Sequence, residues 1–132
     1  MDFLTFYPKG KHMYIEMVPD KLVEWQPTIE DDIKKKVEEI SPLVENLRSY
    51  CEKREIFQTI IIDCDKAIYF DKINYILLCK LVSELTKKYP DPKNILKRIE
   101  MRHCNSAVSG IYNASKPLLP KKITDIFHVY NN

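Results

Sequence analysis

The run Phe57-Gln58-Thr59-Ile60-Ile61-Ile62-Asp63-Cys64 decides the fold class of this 132-residue chain. Its centre is β-branched and apolar at odd and even positions alike. That is the pattern of a central strand with both faces covered, as in a parallel sheet under helices. Upstream, Phe3 to Tyr7 and Met13 to Val18 read as strands joined by Pro8-Lys9-Gly10-Lys11, turn formers suited to a hairpin. Met13, Ile15 and Met17 alternate there with Tyr14 and Glu16, as on a half-buried strand. Pro19 to Pro27 reads as a linker. Thr28 is placed to cap a helix whose first turn holds Glu30, Asp31 and Asp32. Ile29, Ile33, Val37, Ile40, Val44 and Leu47 give that helix an apolar stripe, and Pro42 within it predicts a kink or two consecutive helices.

Downstream, Ile73 to Lys88 has helical periodicity and stops at Tyr89-Pro90. Lys97 to Cys104 alternates as a strand, with Ile99 and Met101 on one side and Arg98, Glu100 and Arg102 on the other. Ala107 to Leu119 reads as a helix and Ile126 to Tyr130 as a last strand. The order β-β-α-β-α-β-α-β predicts one α/β domain over residues 1–132, with a mixed, mainly parallel sheet of about five strands and covering helices.

With 45% hydrophobic residues the chain can bury one core. Twenty-one basic and 19 acidic residues leave a net charge of +2, too balanced to imply nucleic-acid binding by bulk charge. No apolar run approaches the ~18 to 20 residues needed to cross a bilayer, and the N-terminus, with Asp2 and no basic segment, does not read as a secretory signal. A cytoplasmic or nuclear protein is expected. Cys51, Cys64, Cys79 and Cys104 are widely spaced without a CxxC pair and read as reduced core residues. The excess of lysine over arginine, with only two glycines, suits an AT-rich genome such as those of protists and large DNA viruses.

Asp63 and Asp65 stand at the C-terminal end of the decisive strand, where α/β folds place ligands. They resemble the DxD pair of the Mg²⁺-dependent haloacid-dehalogenase phosphatases. Ala67 departs from that motif, and the later lysine and acidic pair have no counterparts, so no catalytic residue is assigned; Asp63 and Asp65 read as caps of the following loop. His12, His103 and His128 lie on or beside three strands without a carboxylate or thiol at ligand spacing, and His103 and Cys104 would point to opposite faces. No metal site and no cofactor are expected. Neither Gly10 nor Gly110 belongs to a phosphate-binding loop.

A larger resemblance runs through most of the chain. Tyr89-Pro90-Asp91, Leu96 to Met101, Ala107 to Tyr112, Lys116-Pro117-Leu118-Leu119-Pro120 and Ile126 to Tyr130 resemble the second half of a CRAL-TRIO domain. Ile60-Ile61-Ile62-Asp63 resembles that family's central strand, and Gly10 to Ile15 an earlier one. The family includes phosphatidylinositol-transfer proteins and retinoid or tocopherol carriers. The resemblance implies a non-enzymatic module for a lipid, another small apolar ligand or a membrane surface. It puts Asp91 and Lys116 at the positions that contact a phosphoinositide headgroup, and Ile111, Leu118 and Leu119 on a gate helix over the cavity. Asp91 is shorter than the family's glutamate, and the family's N-terminal helical lobe and closing segment have no counterpart, which implies a smaller or more open cavity. Ile60 to Lys72 is also similar to the central segment of STAS domains, with Lys72 where their regulatory members carry a phosphorylated serine. That second resemblance implies a protein-interaction domain with a filled core.

Overall fold

The computed structural model describes residues 2–65 and 70–131; Ala67, Ile68 and Tyr69, which bear on two of the resemblances, lie outside them. Five strands, β1 (Leu4–Lys9), β2 (His12–Met17), β3 (Phe57–Asp63), β4 (Leu96–Arg102) and β5 (Phe127–Val129), form one sheet in the order of the chain. The β1–β2 hairpin is antiparallel, its turn using Gly10 at φ 63, a conformation that costs glycine little. The pairs β2–β3, β3–β4 and β4–β5 are parallel. The fold is therefore the expected mixed α/β class, with β3 at its centre.

One expectation about β3 is corrected. Each parallel strand lies on the same side of its predecessor, and crossovers between parallel strands are right-handed in almost every case, so every connecting helix falls on one face. The helices α1 (Pro19–Trp25), α2 (Asp32–Arg54), α3 (Tyr75–Lys88) and α4 (Ser106–Ser115) accordingly face the side of the sheet that carries Ile15, Ile60 and Ile99. The sheet is covered on one side, not two. On the other side Tyr7 stacks on Tyr14 at 5.4 Å and Lys97 lies over Phe57, contacts that join strand to strand, and Glu100 pairs with Arg98 and Arg102 along β4 itself. Ile61 belongs to this outer face, yet is only 5% exposed because it lies in register between Glu16 and Glu100. Its apolar character reports neighbours within the sheet, not a second helical layer.

The helices differ from the sequence reading in detail. Pro19 to Trp25, read as linker, is helical, with Pro19 in the first turn where its missing N–H costs nothing. Thr28 is not the cap of α2: its backbone N–H and hydroxyl both donate to Asp32, and Ile29, 58% exposed, precedes the helix. Across Pro42, α2 runs as one 23-residue helix, with the Ser41 hydroxyl donating to the Val37 carbonyl one turn back. Val37 before the proline packs with Leu77 and Leu81 of α3, and Leu47 and Cys51 after it pack with Met13 and Ile15 of the sheet, which offsets an interior proline's cost of about 3 kcal/mol. The last predicted helix ends at Ser115 and tightens into a 3₁₀ turn over Lys116–Leu118 around Pro117, after which a short α5 (Lys121–Thr124) appears. Asn74 and Asn105 cap α3 and α4 by accepting from Leu77 and Val108 amides.

Among the described residues, most of the buried apolar side chains gather in four clusters. Met13, Ile15, Cys51 and Ile95 lie under α2; Ile33, Val37, Leu77 and Leu81 join α2 to α3; Cys64, Met101, Cys104 and Val108 lie under α4; Phe3, Leu22 and Ile73 gather at α1.

Candidate functional site

Between these clusters lies a cavity of about 400 Å³ whose wall touches all four. The sheet register builds its floor: Ile15, Ile60 and Ile99 stand side by side on β2, β3 and β4, and Met17, Ile62 and Met101 form the next row. Leu22, Leu43, Leu78 and Val108, one each from α1, α2, α3 and α4, contribute to the roof. The helical period of α2 and the two-residue period of the strands thus aim their apolar stripes into one space. Its volume falls at the lower end of the ~300 to 1,000 Å³ typical of small-molecule sites.

Few polar groups interrupt this wall, and most are occupied. Ser115 and Thr86 donate their hydroxyls to carbonyls of their own helices, those of Ile111 and Val82. Asp91 accepts from the amides of Ile95 and Leu96, each at 2.9 Å, and lies 3.4 Å from an Arg48 guanidinium nitrogen; Lys122 donates to the Asp91 carbonyl at 2.7 Å. The Asp91 side chain is 8% exposed and that of Arg48 22%. Two buried atoms find no hydrogen-bond partner among the described residues: Arg48 Nε and the hydroxyl of Tyr112, whose ring stacks on Phe127 at 4.4 Å.

The residues singled out from sequence divide accordingly. Asp91 and Leu119 line the cavity. Ile111, Lys116 and Leu118 do not: Lys116 is exposed, Leu118 is 46% exposed, and Ile111 is partly covered. Asp91 and Lys116 are therefore not brought together as a pair. The cations at the cavity are Arg48 and Lys122, which the sequence reading did not single out. Arg48 had a signal, since it falls four residues after Val44 on the apolar face of α2. Nothing in the sequence marks Lys122.

At the opposite end of β3 a second polar group forms. Asp63 Oδ1 accepts from the amide of Asp65 at 3.0 Å, closing the turn as expected, and lies 2.9 Å from His103 Nδ1. This pair joins residues 40 apart, beyond the reach of sequence spacing, and forms because β4 stops at Arg102 and His103, at φ 57, turns back toward β3. The Asp65 amide, with a smaller contribution from His103, holds the Asp63 carboxyl below the usual carboxylate range. Because the strand order never reverses, this end is not a topological switch point of the kind at which doubly wound sheets bind ligands. Burial, with Cys104 beside it, pushes the Cys64 thiol far above its usual range, and burial likewise raises Cys51, Cys79 and Cys104. All four cysteines are free, buried and neutral, with the character of small hydrophobes. Among the described residues no three His, Cys, Asp or Glu side chains converge as a metal set.

Comparison with known proteins bears on the fold. No protein-family model and no curated protein matches the chain. Among solved structures it is similar to the crystal structure of Sfh5, with a TM-score of 0.66 at 15% identity, over 98% of this chain and 46% of that one. The fold is CRAL-TRIO-like. The chain spans less than half the length of that structure. Among the described residues no helix of this CRAL-TRIO-like domain is long and apolar enough to cross a membrane.

Proposed function

We propose that this chain is a non-enzymatic binding module that takes a lipid or other small apolar ligand between its sheet and its helices. The observation that carries the reading is the apolar cavity on which all four core clusters converge. Water gains little against such a wall, since it needs two to four polar partners at each position. An apolar ligand that covers it gains roughly 25 cal/mol for each Å² of apolar surface removed from water. The CRAL-TRIO-like fold supports the same reading, and the wall's polar groups support binding over chemistry, being engaged mainly in holding backbone.

Asp91 and Leu119 serve the ligand as parts of the wall. Ile111, Lys116 and Leu118, outside it, suit a peripheral membrane contact through which a lipid enters: Leu118 and Lys116 are exposed beside Lys121, an apolar and basic combination that suits an anionic lipid surface. Four unpaired buried thiols fit a reducing, cytoplasmic setting. A second reading, a protein-interaction domain, has in its support the uncovered outer face of the sheet. Solvent extraction and mass spectrometry of the purified protein, with a liposome flotation assay, separate the two. Co-purifying lipid is the expected result; no extractable lipid together with no flotation counts against the lipid reading.

A further inference from the structure

The identity of the ligand can be narrowed from the wall itself, an inference that rests on the binding module proposed above. We propose that the cavity takes a single-chain amphiphile with an anionic head, its tail on the isoleucine floor and its head on Arg48. The size limits the tail. A methylene displaces about as much volume as a water molecule, on the order of 30 Å³, so 400 Å³ holds about a dozen such groups. That is the volume of one chain of about twelve carbons.

The charge selects the head. Arg48 and Lys122 are two cations at the wall against one carboxylate, and Asp91 already gives both oxygens to the Ile95 and Leu96 amides. Arg48 is left with a 3.4 Å contact and a buried Nε without a partner among the described residues. A buried donor on a charged group costs stability until an acceptor reaches it, and a carboxylate or phosphate is the acceptor that guanidinium binds best. The position fits an amphiphile as well. Arg48, Val44 and Tyr89 also line a second hollow of about 250 Å³, so the guanidinium stands between the two spaces. The acids of that second hollow do not compete: Glu45 accepts from the Tyr89 hydroxyl and Glu52 pairs with Lys93.

The test uses the delipidated full chain in isothermal titrations with dodecanoate, dodecyl phosphate, dodecanol and a phosphatidylcholine with two twelve-carbon chains. At least one anion is expected to bind fivefold or more tighter than dodecanol and tighter than the two-chain lipid, and the tighter of the two anions identifies the head. Dodecanol within fivefold of both anions, or tighter binding of the two-chain lipid, overturns this inference while leaving the apolar-ligand reading intact. Binding by none of the four defeats both. Arg48→Met, which keeps the apolar stem, is expected to erase the preference for anions without changing dodecanol affinity, and Arg48→Gln serves where that variant does not fold. A folded variant that keeps the full preference removes Arg48 from the site.

Discussion

Asp91 shows how one side chain can be both part of a cavity wall and the support of a loop. Its oxygens accept from two amides of the segment leading into β4, so Asp91→Ala leaves two buried donors unpaired as well as Arg48. At ~1 to 3 kcal/mol for each orphaned group, a loss on the order of 3 kcal/mol is expected in urea unfolding. Lys116→Ala, at an exposed position, is expected to stay within about 0.5 kcal/mol. Equal effects of the two substitutions would contradict these roles. Asp63 yields a pH dependence. Its folded-state pKa is depressed, so its contribution is present above the unfolded value of about 3.9 and is lost as pH falls through the lower folded value. The melting temperature is expected to fall as pH drops below about 4, and Asp63→Asn to flatten that fall slightly, since the side chain is 43% exposed. Circular dichroism melts between pH 5 and 2.5 check this; parallel curves for both proteins refute it. The turn made by Asp63 was legible in its place at a strand end. The role of Asp91 was not, because its acceptors are used by amides four and five residues ahead, a geometry set by how β4 begins.

At the scale of elements, α2 is the case where packing overrides a local rule. Pro42 removes an amide donor, yet the helix continues because Val37 packs on α3 before it, Leu47 packs on the sheet after it, and Ile40 and Leu43 line the cavity on either side. Pro42→Ala is expected to stabilise the protein by about 2 kcal/mol, the difference between an interior proline's cost of about 3 and the roughly 1 kcal/mol by which it restricts the unfolded chain. Thermal and urea unfolding measure it, and a destabilised Pro42→Ala would show that the proline shapes the helix usefully. The position of α3 was legible from its helical period, that of β2 from two-residue alternation, and that of β3 from an unbroken β-branched run. The short elements escaped. α1 and α5 span seven and four residues, too few for a period to register, and α1 is held from outside: the buried Gln26 amide just after it donates to the Lys72 carbonyl and accepts from the Asn74 amide, 46 and 48 residues away.

For the molecule as a whole, the α/β class and the central place of β3 followed from its apolar run, whereas one-sided covering did not. That property depends on strand order, and Ile61 looks the same in sequence whether a helix or two flanking glutamates cover it. The cavity was equally invisible, since the residues that line it would serve a filled core as well. This gives a test at the same scale: Ile60→Phe, in the middle of the floor, is expected to raise the melting temperature of the delipidated protein by a few degrees and to reduce the lipid recovered on extraction. A lower melting temperature would show that the side chain overpacks its site. The chain-ordered sheet has a further consequence, for biogenesis. Each strand leaving the ribosome finds its neighbour already made, so the sheet can lengthen vectorially with little long-range search. Val108, Tyr112, Leu119 and Phe127 emerge after β1 to β4, so the wall of the cavity is complete only once β5 has been made.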